Sequence, residues 1–195
     1  MPNWCYTDYR ICGNKGQLVE LKEKLDYLNS LPEPYSENGF GKLWCGCLAE
    51  LLGGDWNKVY CRGEICEYGF SGCTLNLVVM SAWSELGEWR HFIESKFPKI
   101  EIYYRAEEPG NCYYETNDVE GSYFPDRYLI DTYDGPEYFT SLRDAAKYVS
   151  ELVGKEVKAE EDEIEKVLDE HEAAEWKAGN EDAFYSFHSY FINEN

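Results

Sequence analysis

The chain has 195 residues, with 38 Asp and Glu against 18 Lys and Arg, a formal net charge of -20. That balance argues against gripping a nucleic-acid backbone, which is driven by Lys and Arg displacing counterions, and against anionic membrane surfaces. The length can bury a core without disulfide staples, and with 16% aromatic residues the chain is not one that stays disordered throughout.

Trp4 to Cys12 mixes aromatic and β-branched residues in alternation and predicts a first strand, closed by Gly13-Asn14. Asn14 with Gln17 three residues on has the form of a capping box. Leu18, Leu21, Leu25 and Leu28 then make a helical stripe, with Lys22 and Lys24 on the solvent side, and Pro32 and Pro34 begin a loop to Gly41. Leu43 to Leu52 reads as a short helix with Trp44, Leu48, Leu51 and Leu52 inward, stopped by Gly53-Gly54. Lys58 to Tyr68 reads as a strand with a bulge at Arg62-Gly63, and Gly69 to Gly72 as the hairpin loop after it.

The central stretch runs from Thr74 to Thr116. Leu75, Leu77 and Val79 predict a central strand. Ser84 is placed to cap a helix bearing Leu86, Trp89, Ile93 and Phe97, with Glu85 and Glu88 in its first turn and Pro98 as its stop. Ile100, Ile102 and Tyr104 predict the next strand. Glu108-Pro109-Gly110-Asn111 has the composition of a type II turn, so Cys112 to Thr116 should fold back antiparallel. The order of these elements predicts an α+β, ferredoxin-like βαββαβ antiparallel sheet with helices on one face over residues 1–118.

Residues 119–155 read as a strand from Tyr128 to Tyr133, a turn at Asp134-Gly135, a continuation at Tyr138-Phe139, and a helix capped by Thr140 or Ser141 and ended by Gly154. So small a unit is expected to extend or cover the sheet rather than hold a core of its own. Residues 156–195 are expected to form acidic C-terminal helices. Ile164, Val167, Leu168, His171 and Ala174 form one stripe, Gly179-Asn180 a break, and Phe184, Phe187 and Phe191 a further helix.

Several of these residues also carry a resemblance. The opening Met1-Pro2-Asn3-Trp4-Cys5 with the strand ending at Gly13, then Gly53-Gly54-Asp55-Trp56, Cys61-Arg62-Gly63, Ala82-Trp83, Lys96-Phe97-Pro98 and Glu107-Glu108-Pro109-Gly110, resemble the YubB-like family. These are phage- and plasmid-associated proteins of unknown function with a ferredoxin-like domain. The resemblance covers roughly residues 1–118 and implies that fold and a mobile-element setting. It transfers no catalytic residue. The chain departs from the family pattern at Ser84-Glu85-Leu86 and at Asn111-Cys112-Tyr113.

For chemistry, Cys45, Cys47, Cys61 and Cys66 are the possible metal ligands. Their spacing is not that of paired CxxC knuckles, and Cys61 and Cys66 would face opposite sides of an unbulged strand, so no cofactor or metal is expected. His91, His171 and His188 all fall on predicted helices, and His171 among Asp169, Glu170 and Glu172 is read as part of a solvated face. Glycine-rich phosphate loops, HExxH and GxSxG are absent. The candidate surface site is Glu107 and Glu108 beside the Pro-Gly turn, with Trp83 and Arg105 near in the proposed sheet. Arg62 is a second candidate that a salt bridge would explain equally well.

The expected function is that of a non-enzymatic accessory protein of a mobile element. It would act by protein-protein contacts through an acidic surface and, in the sharper form, mimic DNA towards a basic or DNA-binding partner. The alternative is a small-ligand or metal-binding ferredoxin-like domain. Met1-Pro2-Asn3-Trp4 lacks the features of a secretory leader and no apolar run approaches the ~20 residues of a bilayer span. The expected setting is therefore cytoplasmic, without membrane or direct nucleic-acid contact, the eight cysteines reduced, and the chain a monomer or homodimer.

Overall fold

The computed structural model describes residues 3–37 and 39–194, so Met1 and Pro2 of the opening pentapeptide and Asn38 of the first loop lie outside the described residues. The chain forms two compact units, Met1–Asp118 with Asn193–Asn195, and Val119–Ile192. Both mix helices with antiparallel strands, an α+β architecture.

Unit 1 contains β1 (Trp4–Gly13), α1 (Lys15–Ser30), α2 (Cys45–Leu51), β2 (Gly63–Ser71), β3 (Thr74–Ala82), α3 (Gly87–Lys96), β4 (Ile100–Glu108) and β5 (Tyr113–Thr116). The strands pair antiparallel in the order β2-β3-β1-β4-β5. Register places Tyr9 opposite both Leu77 and Tyr104. Because side chains alternate along a strand, Cys5, Tyr9 and Ile11 share one face with Leu75, Leu77, Val79, Ile102 and Tyr104. The stripes of α1 (Leu18, Leu21, Leu25, Leu28) and α3 (Trp89, Ile93) pack on that face in a single core. Each such side chain contributes roughly 1.5–3 kcal/mol by leaving water. Tyr6, Asp8 and Arg10 lie on the opposite, partly exposed face.

Local chemistry explains the joints. Asn14 caps α1, its Oδ1 accepting from Gln17 N–H at 3.2 Å. Instead of closing the box, the Gln17 side chain accepts from Lys99 N–H at 2.9 Å, while Asn14 N–H donates to Lys99 O at 2.8 Å. That junction is tight enough that a Cβ on Gly13, which has φ +121°, would stand 2.3 Å from Lys99 O. β5 pairs with only the last part of β4. Upstream of that, Asn117 and Glu94 satisfy the backbone, accepting from Tyr104 N–H at 2.7 Å and Ile102 N–H at 3.1 Å.

Several local expectations are corrected. Ser84 does not cap α3: the helix starts at Gly87 after Leu86, because Trp83 takes φ +74° and Ser81 Oγ donates to Ser84 O at 2.7 Å, turning the chain first. β2 begins at Gly63, not Lys58, since Asp55 O accepts from Lys58 and Val59 N–H and folds that segment into a turn. The bulge falls between Ile65 and Glu67, and the hairpin pairs Ser71 with Thr74 across Gly72 and Cys73. The predicted type II turn is a 3-10 turn, Pro109–Asn111, followed by left-handed Cys112, because the Glu108 carboxylate accepts from Gly110 and Asn111 N–H.

Unit 2 contains β6 (Tyr128–Thr132), β7 (Gly135–Phe139), α4 (Leu142–Val153), α5 (Glu161–Lys177), β8 (Tyr185–Ser189) and the two-residue β9 (Phe191–Ile192). Its sheet runs β7-β6-β8. Ser141 caps α4, accepting from Asp144 N–H at 3.2 Å, and Gly154 ends it in the left-handed region. Residues 119–155, expected as an extension without a core of its own, share one core with the segment expected, over 156–195, as acidic C-terminal helices. Ile130 of β6, Ala145 and Val149 of α4, Ile164, Val167 and Leu168 of α5, and Tyr185 and Phe187 of β8 meet in it. The helix predicted over Phe184 to Phe191 is strand. Tyr185 and Phe187 point inward while Ser186 and His188 do not, a period of two that pairing with β6 selects over the helical reading. His188 is consequently on a strand, whereas His91 and His171 are on helices.

Candidate functional site

The predicted surface constellation is brought together only in part: Arg105 and Glu107 pair, Glu108 faces the other way, and Trp83 stands across β1. Glu107 and Glu108 are neighbours on a strand and face opposite ways. Glu108, 2% exposed, is consumed by the 3-10 turn: its carboxylate accepts from Gly110 N–H at 2.8 Å, Asn111 N–H at 3.0 Å and Asn111 Nδ2 at 2.6 Å. Glu107 lies on the open face in an ion chain, with Arg105 Nε 3.3 Å from its carboxylate, Arg105 Nη2 3.4 Å from Asp8 Oδ2, and Arg10 Nη1 3.9 Å from Asp8 Oδ1. Trp83 is half-exposed just past the C-terminal end of β3, at the same end of the sheet as Glu107 and Glu108 but across β1 from them, its backbone N–H donating to Asn3 O at 3.0 Å. Two carboxylates held apart by the sheet cannot act as an acid/base pair.

Of the cysteines, Cys45 and Cys61 are buried, Cys66 sits exposed at the β2 bulge, and Cys47 donates towards Ser36 O and Gly41 O. No group of three or more metal-binding side chains comes together among the described residues. Burial pushes the Cys61 thiol up to about 12, with Glu88 adding to the shift, which keeps it protonated and unreactive.

Arg62, the second candidate, belongs to a pocket that it shares with Cys61 and with none of the other predicted site residues. Gly63 N–H donates to Cys61 O at 2.8 Å, a three-residue γ-turn with Arg62 at its apex, and Arg62 O accepts from Ala82 N–H at 3.1 Å. A Cβ on Gly63 would stand 2.9 Å from Met80 O and 3.0 Å from Leu86, so the glycine lets the turn lie flat against β3 and aims Arg62 outward.

Beside Arg62 opens a pocket of about 430 Å³, lined by Phe40, Trp44, Trp56, Lys58, Tyr60, Cys61 and Glu88 among others. Trp44 is held by a bridge to Glu64 at the β2 edge and lies over Gly46, where a Cβ would come within 2.4 Å of its ring. Phe40 stacks on it with centroids 6.4 Å apart, and Trp56 meets it edge-on at 5.4 Å. Trp56 is set by the 55–59 turn, in which Asp55 Oδ1 accepts from Asn57 N–H at 3.0 Å. Glu88 of α3 accepts from Tyr60 N–H at 2.9 Å. Trp44 Nε1 is buried without a hydrogen-bond partner, whereas the indole of Trp89 donates to Cys45 O at 2.9 Å. Composition alone does not reveal this pocket, because its aromatics come from a loop, a helix start and a turn. The visible signals are the Gly-Gly-Asp-Trp and Cys-Arg-Gly motifs, which supply Trp56, Cys61 and Arg62.

A second polar cluster is enclosed in the core of unit 1. Glu85 accepts from Tyr9 OH at 2.9 Å and from Arg90 Nε at 3.1 Å, and the guanidinium lies 5.0 Å from the Tyr104 ring centroid. Both side chains of the Glu85–Arg90 pair are 5% exposed. Burial raises the Glu85 carboxyl above its ordinary range, and Arg90 and the Tyr9 hydroxyl pull it partly back. Tyr104 OH donates to Glu115, which also accepts from Asn193 Nδ2 at 3.1 Å. Each group has a partner, so the cluster orders the helix against the sheet.

In unit 2 the outward side of α5 is acidic. Glu161, Asp162, Glu165, Asp169 and Glu170 are exposed with one lysine, Lys166, among them, and Glu170 is engaged by Lys155 at 3.3 Å and Lys166 at 4.0 Å.

Comparison with known proteins finds no matching family model, no matching curated protein and no matching solved structure. No helix among the described residues is long and apolar enough to cross a membrane.

Proposed function

We propose that the protein is a non-enzymatic accessory protein of a mobile element that acts in the cytoplasm by docking a basic, DNA-binding protein on its acidic surface. The observation that carries this reading is the outward side of α5. Its five exposed carboxylates, less Lys166 and the Lys155 that engages Glu170, leave a net -3 between Glu161 and Glu170. At 1.5 Å rise per residue that is one net charge per roughly 4.5 Å of axis, against about 3.4 Å along one strand of DNA. Ile164, Val167 and Leu168 anchor the helix from behind, so the charges are held rather than trailing.

The resemblance in unit 1 supports the mobile-element setting. The order β2-β3-β1-β4 supports a ferredoxin-like ancestry to which β5 has been added beyond β4. The test is competition: at low salt the purified protein should displace DNA from a host DNA-binding protein, and the effect should fade as salt is raised. Replacing Asp162, Glu165 and Asp169 with Asn, Gln and Asn should weaken it by about tenfold or more if each contact contributes roughly 0.5–1 kcal/mol. No competition at low salt removes the mimic reading.

A second reading, small-ligand binding by unit 1, is favoured by the pocket at Trp44 and Arg62. Its metal branch is separable by elemental analysis of protein purified without chelator, where less than stoichiometric zinc eliminates it.

A further inference from the structure

We infer that the pocket beside Arg62 binds a small planar anion: an aromatic ring carrying a phosphate or carboxylate, of the size of a nucleoside monophosphate. This deepens the second reading, small-ligand binding by unit 1, on which it rests; the acidic docking surface lies in the other unit, and the two fail independently. Four features converge on this ligand.

The volume, about 430 Å³, lies in the range of small-molecule sites. The lining is aromatic on several sides, with Trp56 40% and Tyr60 44% exposed, and exposed rings at a concave site are surfaces on which a flat ligand stacks. Trp44 Nε1–H is a buried donor without an acceptor. Such a donor costs about 1–3 kcal/mol while unmet, and Trp44 is one of the residues that line the pocket.

The fourth feature is charge. The Arg62 guanidinium has neither a hydrogen-bond nor an ion-pair partner among the described residues, although the chain carries 38 carboxylates. Lys58 stands on the same rim, 3.4 Å from Asp55 and with its side chain 81% exposed. A guanidinium presents a flat fork of donors that fits the paired oxygens of phosphate or carboxylate. Glu88, the one acid in the lining, is engaged by Tyr60 N–H. The complementary ligand is therefore negative at the rim and aromatic within. A cationic guest such as a methylated lysine would meet Arg62 and Lys58 at the mouth.

The test is tryptophan fluorescence titration of the full chain with four probes: adenosine monophosphate, adenosine, indole-3-acetate and trimethyl-lysine. The expected result is saturable quenching by at least one of the two anions, with neutral adenosine about tenfold weaker than its monophosphate, a difference of about 1.4 kcal/mol. The two anions separate the phosphate from the carboxylate source. Arg62→Gln, at an exposed turn apex, should bring the anion down to the level of adenosine while circular dichroism stays unchanged. Trp56→Ala should weaken monophosphate and nucleoside alike. Saturation by neither anion below about 5 mM, about 3 kcal/mol of binding, overturns the inference. Anion binding unchanged in Arg62→Gln, or trimethyl-lysine binding more tightly than both anions, overturns it as well.

Discussion

Glu85 and Arg90 show how a single buried contact can set the pH response of unit 1. Glu85 is raised above its ordinary value by burial, so between its unfolded pKa and that raised value the folded state holds more protons than the unfolded state. Stability from this group is full below the unfolded value and declines as pH rises through the raised one. Glu85→Gln should remove that slope, read as a flatter dependence of the unfolding midpoint above about pH 4. Arg90→Met should be far costlier, on the order of 3–5 kcal/mol by urea denaturation, because it leaves the carboxylate buried without its cation.

Thiol chemistry follows burial at the same scale. Cys73 and Cys112 are exposed and should react promptly with a thiol reagent in the native state, and Cys66, exposed but with its thiol pKa raised by partial burial, more slowly. Cys5, pushed up to about 11 by burial, Cys61, pushed up to about 12, and fully buried Cys45 should react only on unfolding.

At the scale of the element, caps and close approaches decide where helices start. Ser141→Ala removes the acceptor for Asp144 N–H and should cost about 1 kcal/mol of unit 2 stability. The Gly13 junction is stricter, since a side chain there meets both an unfavourable φ and the Lys99 carbonyl at 2.3 Å. Gly13→Ala should destabilise unit 1 by about 2 kcal/mol or more, measured as a lowered melting temperature.

Elements with a strong local period were legible in sequence. The leucine stripe of α1, the alternation in β1, β3 and β4, and a cap at Thr140 or Ser141 with Gly154 at the other end of α4 each rest on chemistry within one or two turns of chain; the structure chose Ser141. Trp83 defeats that logic: its left-handed backbone and the Ser81 hydroxyl contact delay α3, and neither is visible in a periodicity. The aromatic repeat at Phe184, Phe187 and Phe191 fits a helix as well as a strand, and only β6 waiting alongside decides for the strand.

For the whole molecule, each unit holds its own core, so local damage should stay local. Leu21→Ala should cost about 2–5 kcal/mol and lower hydrogen-exchange protection in unit 1 while leaving the α4 and α5 amides of unit 2 unchanged. Leu168→Ala should do the reverse. Loss of protection across both units from either change would mean that they unfold as one.

By itself the sequence determined the charge, the mixed α+β character and most of the element order, because these depend on composition and on periods within a short window. Only the tertiary structure decided which of the singled-out residues share a site. The pleat of β4 sent Glu107 and Glu108 to opposite faces, and β1 stands between them and Trp83 at that end of the sheet. Meanwhile loop, helix start and turn carried Phe40, Trp44, Trp56 and Arg62 to one pocket. Proximity between segments distant in the chain is a product of packing, and no local pattern encodes it.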